Sequence, residues 1–511
     1  MKNEAKKFVT HQAWVEGKWE RDVVLSIAAD GTWASVLPNA SAAQQAGATR
    51  LVGVVLPGVV NAHSHALQRT RAGLTERRSA LAFDVVPTRP SALPHLPHLP
   101  HLPQLSAVPR DRRLSPAQRV TPAQLEAVAS QLYAEMLLGG YTHVCEFLYL
   151  HHAASAEPLE MAQALVRAAQ QVGLGLTLLP ALAPRGGVGG ALGNTASDDA
   201  RTLADGPEQV MRVVETINRQ AIAAARLPSA RPTMAASGPV LVSAGVGLHA
   251  QGTGETAVMQ TLAAAARKTG LPVHIPIAEH QAAVDECLAR TGQRPIEWLL
   301  SHADVDARWN LVHATHATAA ELQAMRSAGA AIVTCPSTAA NLGHGVFDLP
   351  AFAAMGGHWS IGSDRNVARS WPEELRQLEY AHRLQRQPRH VATQAAGRES
   401  SAAVLFDAAV AGGQAATGQR VGPIQVGRRA DFLVLDARSN SLLGLPVEHQ
   451  LDALLFSSPA ARFREVFVAG VQVVKDGCVV GPQNDAVLAS RIGDIFVPTM
   501  QALYTPVPSQ A

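Results

Sequence analysis

LPGVVNAHSH, residues 56–65, reads as an apolar strand that ends in two histidines, His63 and His65. Side chains alternate along a strand, so residues two apart leave the same face. Further strand-like runs follow at Tyr141–Phe147, Gly175–Ala181, Leu271–Ala278, Asn310–Ala314, Ala330–Thr334 and His358–Gly362. Ala-rich segments of helical period separate them, among them Thr121–Leu138, Pro158–Val172, Thr253–Thr269 and Thr318–Ser327. Strand alternating with helix implies an α/β fold on a parallel sheet, open or closed. A closed (β/α)8 TIM-type barrel over residues 56–424 is the expectation. In such barrels the chemistry sits at the C-terminal ends of the strands, where His63 and His65 would stand.

Both chain ends read as β structure. Trp14 to Val36 alternates and turns at Asp30-Gly31, and Ala430–Asp436 and Val466–Val480 show the same short strands. They predict a small β-sandwich domain assembled from both termini, residues 1–55 plus 425–490. A Pro/His-rich insertion at about 83–115 interrupts the barrel. Within it SALPHLPHLPHLP, residues 91–103, repeats a His-Leu-Pro unit carrying His95, His98 and His101. Proline at every third position favours polyproline II, so an exposed linker is expected, with a metal-scavenging histidine edge as the alternative. Gly186–Gly193 has no phosphate-loop pattern and reads as a loop.

Composition narrows the function classes. The chain has 511 residues, 47% hydrophobic and 16% charged, and a net charge of +2. So small a net charge gives no single-sign field for nucleic acid or an anionic membrane. Cys145, Cys287, Cys335 and Cys478 form no Cys-x-x-Cys pair, which fits a reducing compartment. The N-terminal twenty residues lack an apolar signal core, and no apolar run is long enough to span a membrane. A cytoplasmic protein acting on a small molecule is the reading. Twenty histidines are unusual beside four cysteines.

Three more strands end in groups that are costly to bury alone. VHIPIAE ends at Glu279, LVHATH carries His313 and His316, and SIGSD ends at Asp364. Any one of them also fits a rim residue bonded to a neighbouring loop. Four such ends in one barrel point to a shared site. Neutral imidazoles with a carboxylate suit one Zn²⁺, and the same donors accept Fe²⁺ or Mn²⁺.

HxH on the first strand, a strand-end Glu, a later His and a final Ser-Asp resemble the amidohydrolase superfamily. NAHSHALQRTRAGLTER, GGYTHVCEFLYLHH, CPSTAANLGHGVFDLP, IGSDRNV and VGRRADFLVLDA are similar to the formimidoylglutamate deiminases within it. The resemblance spans nearly the whole chain apart from the insertion. It implies metal ligands at His63, His65 and Asp364, and catalytic roles for Glu279, His313 and Asp364. Substrate contacts fall on Gln68, Tyr149 and His249. The implied reaction is zinc-assisted hydrolysis of a formimino group to a formyl group with loss of ammonia, in histidine degradation. The resemblance also suggests a homodimer.

Two departures leave other readings open. Pro276 stands where the family places a third metal imidazole, and His274, two residues earlier, is about 6.6 Å further down the strand. Gly252 stands where the family places a carboxylate-binding arginine, and Arg365-Asn366 replaces a Ser-His pair. A degenerate homologue with impaired catalysis, or a hydrolase of another amidine or amide, is the alternative.

Overall fold

The computed structural model describes residues 6–74, 76, 120–150, 157–182, 206–226, 239–249, 256–436, 438–458 and 463–504. The insertion at 83–115 with its His-Leu-Pro repeat, the Gly186–Gly193 stretch and Gly252 lie outside these.

Among the described residues eighteen strands follow in chain order. The first five are β1 (Lys6–Val15), β2 (Lys18–Ile27), β3 (Trp33–Leu37), β4 (Thr49–Arg50) and β5 (Val55–Pro57). Next come β6 (Val59–Ser64), β7 (Tyr141–Leu150), β8 (Gly175–Leu182), β9 (Val242–Ala244) and β10 (Val246–Gly247). β11 (Val273–Ile277), β12 (Trp309–His313), β13 (Ala331–Thr334) and β14 (Trp359–Ile361) continue the series. The last four are β15 (Phe432–Leu435), β16 (Phe463–Val468), β17 (Val471–Lys475) and β18 (Cys478–Val479).

β6 to β9 form one parallel sheet and β10 to β14 another. Only Gly245 separates β9 from β10, and its N–H still donates to Leu178 O at 2.9 Å, so the two segments act as one strand. At the far edge the Asp364 N–H donates to His63 O at 2.9 Å and the His65 N–H to Asp364 O at 3.0 Å. A parallel bridge between Ser64 and Asp364 joins the same edges. The eight strands thus close into the expected TIM-type barrel.

The intervening helices start and stop where local chemistry directs. Pro122–Leu138 opens on a Thr121–Gln124 capping box with proline in its first turn, and Ala319–Ala328 on a Thr318–Glu321 box. The latter ends at Gly329 in the left-handed conformation, as does Pro158–Val172 at Gly173. Helices bury their apolar faces on the outward side chains of the strands. In β11, Val273, Ile275 and Ile277 join that outer core. His274 and Pro276 therefore face the barrel interior.

Strands from the two ends build a single nine-stranded sheet, ordered β18-β17-β16-β15-β5-β1-β2-β3 with β4 beside β1. The β1–β2 hairpin turns at Glu16-Gly17, both at positive φ, a turn not read from the sequence. The sheet curls so that β3 returns to the approach to β15, with a Thr32–Arg429 bridge and a core of Phe8, Leu25, Trp33, Val55, Phe432 and Phe467 inside. This curled sheet is the β domain expected from both termini. Arg429 links it to the barrel floor, donating to Asp431 Oδ2 at 2.6 Å and to His143 Nδ1 at 3.1 Å. His143 Nε2 then donates to Thr177 Oγ1 at 2.8 Å.

Candidate active site

His63 and His65 come from the end of β6 and Asp364 from the turn after β14, so the closing seam of the barrel brings them together. His63 Nε2 lies 3.8 Å from Asp364 Oδ1, and His65 Nε2 3.6 Å from the same oxygen. One donor atom from each of the three falls within 4.8 Å of the others. Glu279, after β11, and His313, ending β12, adjoin this set. His313 Nε2 is 3.9 Å from Asp364 Oδ2 and 3.8 Å from Glu279 Oε1. Glu279, His313 and Asp364 form a second group within the same 4.8 Å limit.

The backbone at these ends adopts conformations that L-residues rarely take. Ala278 has φ 48°, His313 70°, Asp364 44° and Asn366 59°. Such positions cost of order 1–3 kcal/mol each and gather at functional sites. A buried polar frame holds them. Asn61 Nδ2 donates to Ser363 Oγ at 2.7 Å, Ser363 Oγ donates to Asn366 Oδ1 at 2.7 Å, and Asn366 Nδ2 donates to His65 O at 2.9 Å.

The electrostatics favour neutral imidazoles at His63 and His65 and a charged carboxylate at Glu279. Burial holds the His63 imidazole well below the usual histidine range, helped by His65, His313 and His274. Burial also lowers His65, outweighing the opposite pull of Asp364. Burial would raise Glu279, but His313, His344 and Arg365 overcome it and keep the carboxylate ionised. Both ring nitrogens of His63 are buried without a hydrogen-bond partner. Buried polar atoms are rarely left so, and a cation beside them would satisfy one. Two imidazoles and one carboxylate also match the three protein donors that catalytic zinc sites carry, with a water in the fourth position. The residues present fit a divalent ion.

His274 is not one of the donor set. Its buried Nε2 donates to Ala416 O at 2.7 Å, which fixes it deep inside the barrel. Pro276, one layer above, presents no donor atom.

The residues expected to touch substrate surround the set. Tyr149 stacks on His65 with ring centroids 5.7 Å apart and planes at 16°. The His249 ring is 6.2 Å from that of Tyr149, and its Nδ1 is buried without a partner. Gln68 is half-buried in the short 3-10 turn after His65, its N–H donating to His65 O at 2.9 Å.

Two residues at the site escaped the sequence reading. His344 Nδ1 lies 3.1 Å from Glu279 Oε1. Nothing in its loop marks it as bound for the rim. Glu146 accepts the Ala66 N–H, immediately after His65, from the outer face of β7. Burial pushes its carboxyl up to about 7. A carboxylate inside the apolar run of β7 was a visible signal, because unpaired buried acids are rare.

Residues 54–473 match the amidohydrolase family. The chain belongs to the amidohydrolase family. It is 39% identical over 472 residues to formimidoylglutamate deiminase of Pseudomonas aeruginosa, covering 92% of this chain and 94% of that relative. It is 28% identical over 254 residues to the 5-methylthioadenosine/S-adenosylhomocysteine deaminase of Halobacterium salinarum, covering 46% and 56%. Among solved structures, an amidohydrolase from Brucella melitensis superposes with TM-score 0.76 at 32% identity, covering 98% of this chain and all of that one. A zinc-bound adenosine deaminase from Xanthomonas campestris shares the fold, with TM-score 0.67 at 19% identity, covering 97% and 98%. Among the described residues of this amidohydrolase, no helix is long and apolar enough to cross a membrane.

Proposed function

We propose that this amidohydrolase hydrolyses N-formimino-L-glutamate to N-formyl-L-glutamate and ammonia, a reaction of histidine degradation. The observation that carries the reading is the 39% identity over 92% of the chain with the Pseudomonas aeruginosa formimidoylglutamate deiminase. The strand-end groups supply the chemistry it needs.

His63, His65 and Asp364 would hold one divalent ion, zinc in this reading. When bound, the ion supplies Lewis acidity that lowers the pKa of water towards about 7. Asp364 takes the proton of the attacking water as its oxygen adds to the formimino carbon. His313 Nε2, 3.9 Å from Asp364, donates to the charge that develops on the tetrahedral carbon's substituents. Glu279 is ionised at rest, so it collects a proton and passes it to the imino nitrogen. The remaining proton of the added hydroxyl then passes to the same nitrogen, the carbon–nitrogen bond breaks, ammonia leaves and the formyl carbonyl remains. Gln68, Tyr149 and His249 orient the substrate around His65.

Pro276, Gly252 and the Pro/His-rich insertion favour a second reading, a homologue with impaired catalysis. Three protein donors suffice for catalytic zinc in other folds, so the missing imidazole does not by itself require that reading. We keep the domain division at 1–55 plus 425–490 and 56–424, with the β domain anchoring the barrel. Four cysteines without a disulfide suit a cytoplasmic location, and a homodimer follows from the resemblance.

Product analysis tests the reaction. Purified protein with N-formimino-L-glutamate should release ammonia and N-formyl-L-glutamate in equal amounts. Formamide and glutamate instead, or no product, would contradict the proposal.

A further inference from the structure

Arg365 directly follows Asp364 in the turn that closes the barrel. Its position in the rim is fixed from both sides. Its own N–H donates to Thr338 Oγ1 at 3.2 Å, Asp364 is bonded through its backbone to His63, and Asn366 to His65 O. The side chain is half-buried, yet among the described residues its guanidinium makes no hydrogen bond and no ion pair. Other half-buried arginines near the rim are paired. Arg369 Nε lies 2.7 Å from Glu135 Oε2, and Arg294 Nε 3.1 Å from Glu321 Oε2.

The charge of Arg365 is felt in the candidate site. It acts on His65 at the end of β6, on Tyr149 near the end of β7 and on Glu279 after β11. The turn that carries Arg365 is held to the ends of β6 and β14, so the residue belongs to the barrel rim beside these groups. It forms no ion pair with Glu279, so it is not consumed by the catalytic carboxylate. Holding a guanidinium partly out of water with no ion-pair or hydrogen-bond partner is unfavourable, and an anion entering the mouth would relieve it.

We infer that Arg365 is the carboxylate-binding residue of this site, gripping an anionic arm of the substrate while the formimino group faces His313 and Glu279. The inference rests on the proposed reaction for the identity of the substrate, though not for the anion site itself. The guanidinium fork matches a carboxylate through two parallel N–H···O bonds, a match that lysine supplies only as a point charge.

The test measures binding and turnover on the full-length, zinc-loaded protein. Glutarate, which carries two carboxylates and no hydrolysable group, is titrated calorimetrically into the unmodified chain, Arg365→Gln and Arg365→Lys. We expect Arg365→Gln to weaken glutarate binding by about 10- to 100-fold, the range for a hydrogen-bonded charged partner. Its KM for N-formimino-L-glutamate should rise by a similar factor with kcat within a few-fold. Its melting temperature should not fall, since an unpaired cation is removed. Arg365→Lys should lie between. If Arg365→Gln melts early, the lysine variant decides: weakened glutarate binding at an unchanged melting temperature supports the inference, and unchanged binding overturns it. Equal glutarate binding with and without Arg365, or none to either protein, overturns it. So does a fall in kcat with KM unchanged, which would make Arg365 a modulator of Glu279. Arg365-dependent glutarate binding without ammonia release would retain the inference and reject the proposed reaction.

Discussion

His65 and Asp364 are joined twice: the His65 N–H donates to Asp364 O at 3.0 Å, and His65 Nε2 lies 3.6 Å from Asp364 Oδ1. The backbone bond helps to close the barrel, and the side-chain approach forms the candidate metal set. Donor geometry is therefore inherited from the closing seam of the barrel, where a supporting frame keeps a site within tolerance.

That seam depends on the absence of a side chain at Gly362. A Cβ there would stand 2.7 Å from His63 Cβ and 2.9 Å from the His63 backbone N and O. Gly362→Ala should destabilise the protein by about 1–3 kcal/mol, as overpacking does. Thermal melting and bound-metal analysis should both show a loss. Unchanged melting and full metal content would contradict the tight fit.

Glu279 is assigned to proton transfer and not to metal binding. Glu279→Gln should lower kcat by about 10²- to 10⁴-fold, the usual range for a general acid–base group. Elemental analysis should find as much metal as in the unmodified protein. If metal and activity vanished together, Glu279 would have to join the ligands.

Pro276 faces the interior one layer above His274 and beside Val312 of β12. Pro276→His adds an imidazole at that level and returns an N–H to the ladder. Metal retained after dialysis against a chelator should increase, with affinity higher by about 10- to 100-fold. No change would show that the side chain at this position does not reach the donor set.

Much of this site was legible because it lies at strand ends. Glu279, His313 and Asp364 each terminate an apolar run, and the period of two places His63 and His65 on one face. The loop residues were harder to see. His344 meets Glu279 only because the turn after the Pro336–Leu342 helix folds back over β11. Arg365 could be read as a departure, but its lack of a partner depends on every neighbour in three dimensions. Pro276 read as a lost ligand. The structure adds that His274 cannot replace it, being committed to Ala416 O.

Glu374 provides a pH-dependent test of the scaffold. It is buried in the Trp371–Arg386 helix and accepts the Ser337 N–H at 2.9 Å and the Ser337 hydroxyl at 2.5 Å. Burial, partly opposed by Ser337, raises its carboxyl from 4.5 to about 8. Between those values the folded protein holds a proton that the unfolded chain has released, so this group makes stability fall as pH rises. Glu374→Gln should remove that slope. Denaturant unfolding of both proteins at pH 5 and pH 8 measures it: the variant should gain relative stability at pH 8. Parallel curves would contradict a neutral buried carboxyl.

We propose that His63, His65 and Asp364 hold one divalent ion on which turnover depends. Metal titration of the chelator-stripped protein tests it most directly, with ammonia release from N-formimino-L-glutamate as the readout. Activity should return with zinc and level off near one equivalent per chain, and Asp364→Asn should neither bind the ion nor recover. Full activity in the stripped protein, or none at any zinc level, would rule out a zinc-dependent site at these residues.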